Sequence, residues 1–123
     1  MNSHYFQEYE YECNCGCGIS LISQELLTLL DKAREKANMP FLLSSGCRCE
    51  DHNEHEKGSK NSSHITTNTK RGTAVDIAIT SSHARFTILK ALLDVGFNRV
   101  GIAKTFIHVD VDTTKAPAVS WVY

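Results

Sequence analysis

The sequence predicts an α+β fold, a small antiparallel sheet flanked by helices, and three observations carry that prediction. Leu26, Leu29, Leu30, Ala33 and Ala37 recur at the spacing of one helix face. Phe106-Ile107-His108-Val109-Asp110-Val111 alternates with the period of a strand. Residues 100–103 and 106–111 are joined only through Lys104-Thr105, which makes the late segments hairpin-like rather than strictly interleaved with helices.

In chain order, residues 1–18 are polar and aromatic, with Gly16 and Gly18, and read as an irregular lead-in. Ser23 has the chemistry of an N-cap, and Glu25 in the first turn suits the positive end of the helix dipole. Asn38 and Pro40 end that helix, and Phe41-Leu42-Leu43 follows as a short buried strand. Residues 44–71 have loop chemistry with one short helix near Glu50 to Glu54. A loop of this length in a compact domain points to function or disorder. Residues 74–79 form the next strand. Ser81 or Ser82 caps a second helix whose expected face is Phe86, Leu89, Leu92 and Leu93, closed by Gly96. Residues 119–123 complete the series as a last strand.

The length of 123 residues and 41% hydrophobic content suit one domain spanning residues 1–123. Thirteen basic against fourteen acidic residues, without a basic run interleaved with aromatics, give no footprint for nucleic acid. No apolar stretch approaches the ~20 residues that cross a bilayer, and the N-terminus lacks the pattern of a secretory signal. The expectation is a protein made in the cytoplasm, acting as a monomer. Cys13, Cys15, Cys17, Cys47 and Cys49 are odd in number, and C-x-C-x-C differs from the paired spacing of structural zinc sites, so reduced thiols are expected.

His108 and Asp110 fall on one face of their strand, opposite Ile107 and Val109, and Asp76 interrupts Ala74-Val75-Asp76-Ile77-Ala78-Ile79. A buried carboxylate without a partner is costly, so a cation or strong donors must meet it. His64 can supply a third group. Two imidazoles and one carboxylate are the set that leaves a zinc ion's fourth position open for chemistry. The rival reading is a core histidine bonded to an aspartate.

Ser44-Ser45-Gly46-Cys47-Arg48, Asn61-Ser62-Ser63-His64, Gly72-Thr73-Ala74-Val75-Asp76 and Phe106-Ile107-His108-Val109-Asp110 resemble, in order, the SGYR, NSxH, GxAxD and FIHVD segments of the zinc D-Ala-D-Ala carboxypeptidase family M15. Residues 9–18 resemble its cysteine-bearing lead-in, and residues 96–102 its GF…GIG stretch. The resemblance implies the fold shared with the hedgehog signalling domain, zinc held by His64, Asp76 and His108, and hydrolysis of peptidoglycan stem peptides as a carboxypeptidase or endolysin. It implies that Arg48 grips a substrate carboxylate or carbonyl and that Ser62 lines the site. A wall substrate lies outside the cell, so delivery after release, as by a phage, is implied too.

Two departures stand out. His64 and Asp76 enclose eleven residues, more than the family pattern, with the added stretch in residues 66–71. Lengthening a flexible loop so far costs only about 0.5 kcal/mol of closure entropy. Thr105 and Phe106 stand where several relatives carry an upstream acid or histidine. Asp110 is therefore the expected proton-handling carboxylate, its other role being to orient a metal-bound histidine. Asp112 stands where many relatives carry arginine, a reversal of charge that would exclude a substrate carboxylate or else mark a solvated surface residue; the second is the expectation, as it is for His4 and His83. His52 and His55 read as loop residues near the site, and Trp121 and Tyr123 as edge packing. The alternative function is a catalytically inactive zinc-binding structural or cell-wall-binding module, for example of a phage virion. A third reading is a cysteine-metal or redox module on Cys13, Cys15 and Cys17.

Overall fold

In the computed structural model, which describes residues 2–123, helix α2 (Gln24–Ala37) begins where Ser23 Oγ accepts the Leu26 amide at 3.2 Å. It ends at Asn38, whose left-handed backbone (φ 53°) returns its N–H to the Arg34 and Glu35 carbonyls. Leu26, Leu27, Leu30, Ala33 and Ala37 are buried, and Leu29 packs half-buried beside them. Each fully buried leucine contributes about 1.5–3 kcal/mol of transfer free energy. The lead-in contains a single helical turn, α1 (Glu8–Tyr11), and is tied to α2 through Asp31, which accepts from Ser3 Oγ and the His4 and Tyr5 amides.

Helix α4 (Ser82–Asp94) is capped by Ser81 as expected, but the buried face is Ile88, Ala91 and Leu92. Phe86 and Leu93 are exposed, at 67% and 52%. Of the expected face, Leu92 is buried and Leu89 packs half-buried on the core, while Ile88 and Ala91 are buried in place of Phe86 and Leu93, which turn outward on a helix packed along α2.

Strands β1 (Leu43–Ser45), β2 (Ala74–Ala78), β3 (Arg99–Ile102), β4 (Phe106–Asp110) and β5 (Val119–Val122) form one sheet in the order β1-β2-β4-β3-β5. The class is α+β, and the first four strands pair antiparallel as expected. The last does not: β5 runs parallel to β3, so the sheet is mixed. The connection after β4 has only to hop over β3, because Val109 pairs with Val100 at the point where Arg99 pairs with Val119. Arg99 pins that hop, its Nη1 donating to the Ala116 carbonyl at 2.5 Å.

Alternation divides the sheet. Val75, Ile77, Ile107 and Val109 face the helices and join the core with Leu26, Leu30, Ile88 and Leu92. On the other face Ser45, Asp76, His108, Gly101 and Trp121 are successive cross-strand partners in one row. Ser45 reaches that row because β1 carries a bulge: one residue, Ser44, lies between Leu43 and Ser45, while their partners Ile77 and Asp76 are adjacent. The helix expected near Glu50 is α3 (Glu50–His55). Residues 66–71 fold back on themselves rather than hanging as a flexible loop. Thr67 N–H donates to the Lys70 carbonyl, Thr67 Oγ1 accepts the Lys70 amide, and Lys70 Nζ caps the Ile65 carbonyl.

Candidate metal centre

His108 and Asp76 sit opposite one another on adjacent antiparallel strands, a position that brings side chains into contact. His108 Nδ1 lies 3.0 Å from Asp76 Oδ1, and His64 Nε2 lies 3.2 Å from the same oxygen. The three sequence-predicted ligands thus converge, one ligand atom from each lying within 4.8 Å of the other two, and all three residues are buried. The added stretch before Asp76 leaves this convergence intact, because its fold-back turn returns the chain to Gly72 and Thr73, whose amide donates to the Ser63 carbonyl.

His64 comes from a loop, and the loop is fixed by backbone pairing with the strand side. Arg48 N–H donates to the His64 carbonyl and Thr66 N–H to the Arg48 carbonyl. Ser62 Oγ accepts the His64 amide at 3.2 Å. His64 Nδ1 lies 2.7 Å from the Gly46 carbonyl, which assigns the proton to that nitrogen and turns the Nε2 lone pair toward Asp76. Gly46 is required here, because a Cβ would come within 2.6 Å of the Tyr11 carbonyl.

The same logic fixes His108. Its Nε2 lies 2.8 Å from Asp110 Oδ2, leaving Nδ1 to face Asp76. Asp110 is 1% exposed, and its Oδ1 accepts from Arg99 Nε at 2.7 Å and from the Asp112 amide at 3.1 Å. The structure therefore places Asp110 on the ring nitrogen of His108 opposite the converging atoms, with both oxygens engaged. The donor set fits a divalent cation: two imidazoles whose outer nitrogens already have acceptors, and one carboxylate aimed between them.

The protonation equilibria agree. Burial disfavours the Asp76 carboxylate, but the His108 and His64 rings, when protonated on the nitrogens that face it, outweigh burial by hydrogen bonding and charge and hold its pKa well below the usual range. Burial likewise disfavours charge on His108, and the hydrogen bonds to Asp110 and Asp76 override it and raise its pKa. An arrangement that favours positive charge between these carboxylates is one that a metal cation can satisfy instead.

Around the ligands, Arg48 donates from Nη1 to Asn53 Oδ1 and from Nη2 to Ser45 Oγ, both at 3.1 Å. Its Nε is buried without a partner among the described residues. Asn53, on α3, was not legible as a functional residue; its only signal is a polar side chain on a short helix next to Arg48. Trp121 packs on the other flank, its ring centroid 5.4 Å from that of His108 and 5.2 Å from the Arg99 guanidinium carbon. The indole fits because Gly101 has no side chain; a Cβ there would fall 2.5 Å from Trp121 Nε1. Trp121 is edge packing as expected, but packing against a ligand. His52 and His55 lie on α3 outside the ligand cluster, and His4 and His83 are exposed.

Asp112 corrects an expectation. Rather than a solvated surface residue, it accepts Ser63 Oγ at 2.7 Å and Thr114 Oγ1 at 2.6 Å, one position from His64. Burial opposes its charge, yet hydrogen bonds from Thr114 and Ser63 lower its pKa to about 2. A cleft of about 950 Å³ lies beside the three converging residues rather than over them and is lined by Ser62, Asp112 and Lys115 together with Glu50 and Glu54 of α3.

No curated protein matches this chain. The Peptidase M15 family model matches residues 4–111, which takes in all four motif segments, the three converging ligands and Arg48. M15 peptidases depend on a metal, and the cluster of His64, Asp76 and His108 offers a place for one. The chain belongs to the Peptidase M15 family.

Proposed function

We propose that this chain is a zinc peptidase that hydrolyses bonds in the stem peptides of peptidoglycan, with zinc held by His64 Nε2, an Asp76 oxygen and His108 Nδ1. The observation that carries it is the convergence of these three atoms, with the outer nitrogen of each imidazole already bonded to an acceptor. Zinc bound by three protein groups polarises a scissile carbonyl and lowers the pKa of a water molecule. The chain's own residues supply the rest. Arg48, held by Ser45 and Asn53, offers a fixed planar fork for a substrate carboxylate or carbonyl. Ser62 fixes the His64 backbone and lines the neighbouring cleft, where a stem peptide would lie.

Of the two roles open to Asp110, its hydrogen bonds favour positioning: it holds the His108 tautomer and is itself held by Arg99. Proton handling by Asp110 would require an oxygen to leave one of those partners. Glu50 and Glu54, on the cleft wall, are the next carboxylates to test for that task. Action on the wall after release, as a monomer, belongs to the same proposal.

The second reading, a zinc-binding module without activity, is favoured by Thr105 and Phe106 at the upstream positions. Incubation with purified sacculi separates the two. The peptidase reading expects metal-dependent release of amino groups, loss of that release in His108→Ala, and products whose masses identify the bond cut. Zinc-loaded wild type that leaves sacculi unchanged sinks the peptidase reading and supports the module.

A further inference from the structure

We propose that Cys13, Cys15, Cys17 and Cys49 form a second metal site, a closed tetrathiolate that binds zinc structurally. Their four sulfur atoms all lie within 4.8 Å of one another. Cys13 and Cys15 sulfurs are 3.4 Å apart, and Cys15 and Cys49 sulfurs 3.7 Å. A tetrahedral zinc ion with Zn–S bonds of about 2.3 Å sets its sulfurs about 3.8 Å apart. The cluster thus has the dimensions of a site that a single ion can fill with little movement.

The local backbone explains how an unusual spacing does this. In an extended strand, thiols two residues apart point the same way but lie about 6.5–7 Å from each other. Here the chain turns instead. Gly16 (φ 86°) and Gly18 (φ 84°) adopt left-handed conformations open to glycine, Gly16 N–H donates to the Cys13 carbonyl, and Cys13 N–H to the Ile19 carbonyl. Three alternate thiols are drawn toward one point. The fourth comes from a different region, at the start of α3. Backbone donors aim at the sulfurs as well: Cys49 N–H at Cys13 Sγ, 3.4 Å, and His52 N–H at Cys49 Sγ, 3.3 Å. Such donors stabilise thiolate over thiol.

Four sulfur ligands leave no position for a substrate, which makes the site structural, and tetrahedral sulfur coordination selects zinc or iron among common metals. Cys47, the fifth cysteine, is buried apart from the cluster with its thiol toward the Leu21 carbonyl. The bound ion would staple residues 13–17 to Cys49, the neighbour of Arg48, and so fix the backbone that pairs with His64.

Elemental analysis of the full-length protein tests the site independently of any peptidase activity. Wild type is expected to hold two zinc ions, Cys15→Ser/Cys17→Ser one, His108→Ala one, and the combined variant none. One zinc in wild type, lost in His108→Ala and indifferent to the cysteine pair, overturns the proposal. One zinc lost with the cysteine pair and kept in His108→Ala leaves this proposal standing and sinks the catalytic zinc instead. Cobalt-loaded wild type and His108→Ala are expected to show intense near-ultraviolet thiolate-to-metal absorption, a readout that survives if the cysteine variant fails to fold. Its absence, disulfides detected by mass in freshly purified protein, or iron in place of zinc would each refute the assignment.

Discussion

The two clusters of metal-competent side chains differ in where their rigidity comes from. Asp76 and His108 are placed by a sheet row and His64 by a loop paired to Arg48, and an acceptor stands behind each imidazole, so their orientation is set before any ion arrives. Cys13, Cys15, Cys17 and Cys49 sit on a turn and a helix start, with Cys15 and Cys17 exposed. On the proposed readings, three fixed ligands would leave room for chemistry, whereas four thiols on a turn would use an ion to hold the chain. The difference teaches that geometry behind the ligands, more than the ligands themselves, distinguishes a preorganised centre from a staple.

Loss of a ligand is the strongest way to break that contrast. Asp76→Ala is expected to lower metal affinity at the histidine centre by more than about 100-fold, beyond what outer-sphere changes usually cost, and to abolish hydrolysis. Calorimetric zinc titration in a competing chelator measures it; unchanged affinity would remove Asp76 from the ligand set.

Asp110→Asn sharpens the contrast, because it touches only what lies behind His108. The expected result is a 10–100-fold fall in zinc affinity. A variant that binds zinc normally but turns over about two to four orders of magnitude more slowly would instead make Asp110 the proton-handling group.

Arg48→Ala should leave zinc content unchanged and reduce kcat/KM by about 10- to 200-fold, the worth of a charge-assisted hydrogen bond to substrate. Hydrolysis equal to wild type would take Arg48 out of substrate binding.

The smallest effect expected is that of Asp112→Asn, read through pH. Asp112 has a folded pKa lowered from 3.8 to about 2, so its stabilising contribution is present above the unfolded value and is lost as pH falls through the folded one. The stability gap between wild type and Asp112→Asn, on the order of 1–2 kcal/mol near neutrality, should close between about pH 4 and pH 2. Chemical denaturation at several pH values checks this; a gap that persists at pH 2 would show that Ser63 and Thr114 do not stabilise the charge.

Much of this was legible in the sequence, for identifiable reasons. Alternation in Phe106–Asp110 gave the strand, its inward face and the shared side of His108 and Asp110. Polar residues interrupting apolar strands marked Asp76 and His108. What could not be read was set by partners distant in sequence. Which residues of α4 are buried depends on how the helix packs along α2, and the parallel course of β5 on a turn pinned by Arg99. The engagement of Asp110 required knowing that Arg99 lies across from it. The convergence of the C-x-C-x-C thiols with a fourth could not be read because that sulfur is 32 positions on from Cys17, at Cys49.

The place of β4 at the centre of the five-strand order has a consequence for amide exchange. Its N–H groups are bonded between two neighbours, so they should exchange with solvent only through openings close to the global unfolding free energy. β1 and β5 are edges and should fray through cheaper, local openings. His108 would then keep its position while the Ser45 and Trp121 ends of the same row breathe. A protein built this way can loosen the walls beside its centre without loosening the centre itself.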